Sequence, residues 1–173
     1  MIIWLNGTFG AGKTTTAAEL TRWVPGARVF DTEHVGYMLR HVLEKAVPVR
    51  DFQEWPPWRT LAVASLVQVH GYVGGTLVVP QTVLVEAYWR EIEAGLERAG
   101  LPVRHVVLHA DPDTLTRRIE GDTVETGARR WRLDHLAEYE KALPWLRAAG
   151  TVVDTTDQPP VAVARRIAES AGS

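Results

Sequence analysis

The chain has 173 residues, 46% hydrophobic and 23% charged, with a net charge of −2. That is enough for one domain with a proper core, and it lacks the basic excess expected of a nucleic-acid binder. No cysteine is present, which excludes disulfides and thiolate metal sites; no apolar run approaches the ~20 residues of a membrane span. The first residues enter an apolar run with no basic stretch before it, which predicts no secretory leader and a cytoplasmic location.

That first run, Ile2-Ile3-Trp4-Leu5, suits a strand buried on both faces of a parallel sheet. Gly7-Thr8-Phe9-Gly10-Ala11-Gly12-Lys13-Thr14 follows and fits G-x-x-x-x-G-K-[ST], the phosphate-cradling P-loop. Glycines let several backbone N–H groups converge on one phosphate, and the helix expected over 12–23 adds its positive end. Lys13 is placed to reach the β- and γ-phosphates, and the Thr14 hydroxyl to ligate Mg²⁺. ATP and Mg²⁺ are therefore the expected ligands.

A second strand is predicted over 27–30 and a helix over 33–45; residues 49–57 read as irregular. A helix starting at Pro57 runs to about residue 72, and Gly74-Gly75 leads into a buried strand over 76–79. Helix over 85–99, strand over 103–108 and helix from Asp111-Pro112 to Gly121 come next. Residues 122–128 show no hydrophobic period and read as mobile. Helix returns over 130–143 and is interrupted by Pro144, before a strand over 151–153 and a last helix over 161–170. Alternating strands and helices predict a parallel sheet covered on both faces, with ligands at the carboxyl ends of the strands.

At those ends, Asp31 and Glu33 face the same way in an extended segment and suit a base or an organiser of the metal shell. The plainer alternative for Asp31 is a cap for the following helix. The third strand ends Pro80-Gln81-Thr82, with no acid where many P-loop enzymes carry the Walker-B aspartate. That leaves Asp31, Glu33 or Thr82 to organise the metal, or points to weak catalysis. In Asp51-Phe52-Gln53-Glu54-Trp55-Pro56-Pro57-Trp58-Arg59, two tryptophans beside Gln53 and Arg59 suit a flat polar ring, or equally a packed core. Trp4, Trp23, Trp89 and Trp145 are assigned to packing. Arg117, Arg118, Arg129, Arg130 and Arg132 flank the mobile stretch as a lid would, to neutralise charge on a transferring phosphoryl group; the alternative is a solvated helical face. The six histidines form no ligand constellation.

The P-loop, the arginine-flanked segment and the Val153-Asp154-Thr155-Thr156 strand end resemble the small-molecule kinases related to shikimate, gluconate and adenylate kinases. That resemblance implies a single α/β domain over 1–173 with a lid at about 117–132. It also implies three α/β/α layers around a five-stranded parallel sheet in the order 2-3-1-4-5, and an adenine site between Arg118 and Thr156 to Pro160. Asp122 departs from the adenylate-kinase lid, which has arginine after the glycine. Closer still, the first fourteen residues, Phe30-Asp31-x-Glu33, the aromatic block and Val79-Pro80-x-Thr82 are similar to the tunicamycin-resistance protein family. The resemblance implies ATP-dependent phosphorylation of tunicamycin or a similar nucleoside-sugar, with two alternatives: a non-catalytic binder that sequesters the drug, or a metabolite kinase.

Its site residues would be Lys13, Asp31, Arg118 and Arg130 for catalysis. Gly7, Phe9, Gly10, Ala11, Gly12, Lys13, Thr14, Thr15, Arg118 and Thr156 would hold the nucleotide. Asp31, Glu33, Gln53, Trp55, Trp58, Arg59 and Thr82 would bind the substrate, and Thr14 the metal. Partners are expected to be small molecules only, for a monomer or homodimer with no transmembrane segment and no clear ground for peripheral membrane contact.

Overall fold

Strand β1 (Ile2–Asn6) is buried at every position because it is the centre of the sheet. Its neighbours are β3 (Thr76–Pro80) and β4 (Val103–His109), flanked in turn by β2 (Ala27–Val29) and β5 (Thr151–Asp154). The order is therefore 2-3-1-4-5, and every pairing is parallel. This computed structural model describes residues 1–123 and 129–170. Of the stretch read as mobile, residues 124–128 lie outside the described residues.

Alternation along β1 divides the core. Ile3 and Leu5 pack into a cluster with Leu20 of α1 (Lys13–Trp23), Leu115 of α5 (Pro112–Glu120), Tyr139 and Leu146 of α6 (Arg129–Ala149) and Ile167 of α7 (Pro160–Glu169). Ile2 and Trp4 point the other way, toward Val35 of α2 (Glu33–Leu43), Trp58 and Leu66 of α3 (Pro56–Val73) and Trp89 and Ile92 of α4 (Glu86–Arg98). Helices on both faces of a parallel sheet make the three expected layers. Among the described residues no helix is long and apolar enough to cross a membrane.

Two local expectations are corrected. Residues 49–57 are not wholly irregular: Phe52–Glu54 is a 3₁₀ turn, capped because Asp51 Oδ1 accepts from Gln53 N at 2.9 Å and Glu54 Oε1 accepts from Asp51 N at 3.1 Å. Asp51-x-x-Glu54 is a capping-box spacing. Helix α2 lies directly on this turn; a Cβ at Gly36 would sit 2.7 Å from the Phe52 ring. Helix α6 also runs through Pro144 without a break. Proline removes one helical hydrogen bond, but Ala142, Trp145 and Leu146 around it are packed into the core, and that burial carries the helix on.

Candidate functional site

All of the P-loop lies at the carboxyl end of β1. Gly7, Gly10 and Gly12 have φ of +131°, +77° and +89°. A side chain at Gly7 would run into the Leu108 carbonyl, and one at Gly10 would meet Leu115 O at 3.1 Å. Gly12 is the N-cap of α1 and offers no side-chain oxygen, and no acid lies in the first turn. The opening amides of α1 are thus left to whatever anion the loop holds. Ala11 is buried in the loop, while Thr14 and Thr15 stand exposed at its outer end, with Thr15 Oγ1 donating to Gly12 O at 3.0 Å.

Lys13 lies back across this cradle, Nζ donating to Gly7 O at 3.0 Å and Thr8 O at 2.9 Å. Desolvation pushes its ammonium down to about 7, with Glu33 opposing the shift and Arg132 adding to it. Phe9 covers the loop from outside. Its ring stands 4.9 Å from Trp131 and 5.7 Å from His135, at the start of α6. Lys13 Nζ lies 5.6 Å and the Arg132 guanidinium 5.3 Å from the centre of the same ring. Arg132 also pairs with Asp122 at 2.6 Å.

Arg118 lies between the P-loop and the loop after β5. It donates to Gly10 O at 3.1 Å, Thr155 O at 2.7 Å and Thr156 O at 3.1 Å, and so staples the loop after β5 to the P-loop. Beside it opens a cavity of about 180 Å³ lined by Gly10, Gly12, Thr15, Gln158 and Pro160, where the adenine expectation falls. Thr156 fixes the edge of that loop, its Oγ1 accepting from Asp111 N at 3.1 Å. The side chain of Arg130, also expected in catalysis, is 91% exposed and pairs with Asp134 at 3.5 Å on the outer face of α6. Arg132, two residues on, is the arginine turned toward the loop.

On the opposite wall, Asp31 lies one residue ahead of Thr32, the N-cap of α2, and its Oδ1 accepts from Glu33 N at 2.8 Å. Glu33 is the carboxylate felt by Lys13, and it accepts from the Tyr37 hydroxyl at 3.0 Å, which raises the Tyr37 pKa. Thr82 Oγ1 donates to Gly7 O at 2.8 Å, and Gln53 Nε2 donates to Thr82 O at 2.7 Å. The aromatic block therefore supports the loop through Gln53 and Thr82 and does not form an open shelf. Trp55 is 4% exposed and donates to Val47 O at 2.8 Å; Trp58 is fully buried, donating to Thr32 O at 3.2 Å. Arg59 is buried between Glu91, Gln53 O and the face of Tyr88. A ring-stacking ligand reaches none of these three without opening the core.

Two features escaped sequence reasoning. Burial pushes the Asp51 carboxyl up, with the Gln53 N–H and His135 working against that shift; its place beside α6 is a tertiary fact. Thr8 Oγ1, inside the loop, is fully buried and has no hydrogen-bond partner among the described residues. Such an orphan costs ~1–3 kcal/mol. The described residues hold no group of three or more His, Asp or Glu suited to a metal, so any cation here would lean on Thr14, phosphate and water.

Comparison with known proteins matches residues 3–142 to the AAA-domain family. The tunicamycin resistance protein of Deinococcus radiodurans is 31% identical with a TM-score of 0.74, over 99% of this chain and 95% of that one. An unliganded sugar kinase from a Janibacter species superposes with a TM-score of 0.65 at 17% identity, over 96% and 91% of the two chains. The APS kinase of Mycobacterium tuberculosis, in complex with AMPPNP and APS, gives 0.62 at 17% identity, over 99% and 97%. These last two speak to the fold alone. No curated protein matches the chain in sequence.

Proposed function

The chain belongs to the AAA-domain and tunicamycin-resistance protein families, and from that footing we propose that it binds Mg-ATP at the P-loop and phosphorylates a hydroxyl of tunicamycin or a similar nucleoside-sugar. The observation that carries the reading is the α1 N-terminus, which has no cap of its own and sits beside a lysine whose charge is incompletely solvated. Both are short of an anion. Bound Mg²⁺, held by Thr14, phosphate oxygens and water, would neutralise charge between the β- and γ-phosphates. The protein's own groups do the rest. Lys13 leaves the carbonyls of Gly7 and Thr8 for the phosphates. Glu33, facing it, takes the proton of the acceptor hydroxyl as that oxygen bonds to the γ-phosphorus and ADP leaves with the old bond. Arg132 neutralises charge from the α6 side. The adenine occupies the cavity beside Arg118. On this reading the whole chain acts as one domain, in the cytoplasm where ATP is.

Sequestration of the drug without chemistry is favoured by one specific observation: β3 ends at Pro80 with no acid in the Walker-B place. Incubation with Mg-ATP and tunicamycin, read by mass spectrometry of the drug, separates the two. An added phosphate on the drug supports transfer. Tight drug binding with no added mass retires transfer and leaves sequestration.

Phosphate binding also predicts a protonic signature. Unliganded Lys13 titrates near 7, and phosphate charge raises that value, so binding above pH ~7 takes up a proton and affinity falls as pH rises. Calorimetry at pH ~8 in two buffers of different ionisation heat should return different apparent enthalpies; identical enthalpies would remove Lys13 from the phosphate site. For the ligand-free fold the sign reverses. Between about 7 and the ~10.4 of an unfolded lysine, the unfolded chain binds more protons, so this group makes the fold more stable as pH rises.

A further inference from the structure

Asn6, the last residue of β1, is fully buried and uses both ends of its amide. Oδ1 accepts from Gly7 N at 2.8 Å and from Val83 N at 2.9 Å; Nδ2 donates to Val83 O at 2.9 Å and meets His105 Nε2 at 3.1 Å. The Gly7 and Val83 amides can only donate and Val83 O can only accept, so the backbone sets which way the Asn6 amide faces, and His105 takes its second N–H. Its Nδ1 faces Ala149 O at 3.2 Å, an acceptor, so Nδ1 carries the proton and Nε2 is left to accept from Asn6. The ring is locked by stacking on Trp89 at 3.9 Å, and Gly150 leaves no slack, since a Cβ there would lie 2.9 Å from His105 Nδ1. Burial lowers the His105 pKa to about 4, which keeps the ring in the neutral form that can accept.

We propose that His105 is a positioning residue for the P-loop: by accepting the second N–H of Asn6 it leaves no buried donor unpaired and holds in place the amide that fixes the Gly7 N–H and ties the loop to the 82–84 segment beside it. Thr82 Oγ1 holds the carbonyl of the same glycine at 2.8 Å, so the first loop residue is gripped at both its amide and its carbonyl. Where a Walker-B acid is missing, this neutral chain sets the register between the end of β3 and the loop. His105 touches no ligand. Its effect on nucleotide binding rests on the reading above; its effect on the loop does not.

The test uses His105→Phe, which keeps a ring against Trp89 but cannot accept, and His105→Gln, which restores an acceptor. In folded proteins with matched thermal unfolding, the Phe variant should bind ATP roughly tenfold more weakly and exchange its Gly7 amide hydrogen roughly tenfold faster, with Gln nearer to wild type in both. Equal losses in the two variants would assign His105 to packing and overturn the proposal, as would wild-type Gly7 exchange in the Phe variant. If the Phe variant fails to fold, nitrogen chemical shifts of wild-type His105 decide: a proton on Nδ1 supports the proposal and a proton on Nε2 overturns it. A wild-type protein that binds no ATP defeats the nucleotide reading alone, because the exchange and tautomer measurements still stand.

Discussion

A Lys13→Ala protein should lose ATP affinity by on the order of 100-fold or more while remaining as stable as the parent, or more so. The two halves of that result have one origin. In the ligand-free fold the ammonium is desolvated enough to titrate near 7, so it contributes little to stability where it sits. The carbonyls it bonds are not both orphaned by its removal, because Gly7 O keeps the Thr82 hydroxyl. Against phosphate the same charge becomes an asset, since a charged donor in a half-dry cradle exceeds its worth in water. Calorimetry with ATP and a thermal unfolding scan on one preparation make the test. Full ATP affinity in the variant would remove the loop as a phosphate cradle. Lost affinity with a collapsed melting temperature would show that Lys13 holds the fold instead.

Trp58→Ala should be strongly destabilising, at ~3–5 kcal/mol and a fall in melting temperature of roughly 10 °C or more. Trp58 is fully buried in the cluster of α2, α3 and α4, its ring centre is 5.3 Å from that of Phe52, and its Nε1 serves Thr32 O at 3.2 Å. Truncation opens a cavity and removes one of the two donors to the Thr32 carbonyl, at the N-cap of α2. Had Trp58 been a stacking platform for a ligand, the same substitution would leave stability nearly unchanged and weaken binding. Chemical denaturation of Trp58→Ala beside Trp58→Phe distinguishes the cases; an unaltered midpoint in the alanine variant would return Trp58 to the ligand.

Much of this arrangement was legible because it is local. The P-loop is contiguous, Gly and Pro punctuate most element ends, and the β1 run can hardly be anything but a central strand. The Asp51-x-x-Glu54 spacing fits a capping box, although residues 49–57 as a whole read as irregular. What sequence could not supply was direction. Arg118, Arg130 and Arg132 are chemically alike, yet one is spent on carbonyls, one faces solvent and one lies over Phe9. Asp31 and Glu33 share a strand end, but the chain turns into α2 between them and leaves only Glu33 toward Lys13. Trp58 and Arg59 read as a ligand shelf because composition does not reveal that α4 covers Arg59 with Tyr88 and Glu91, or that Trp58 is enclosed against Phe52 and Thr32. Asn6 and His105 lie 99 positions apart and meet only across paired strands.

Arg118 holds three carbonyls drawn from two loops. On the proposed reading, the adenine pocket and the phosphate cradle are therefore mechanically joined. Exchanging residues 156–160 for those of a guanine-selective protein would tug on Gly10 through the same guanidinium, so base choice and phosphate affinity should change together. An engineer seeking to alter one without the other would have to rebuild that staple first.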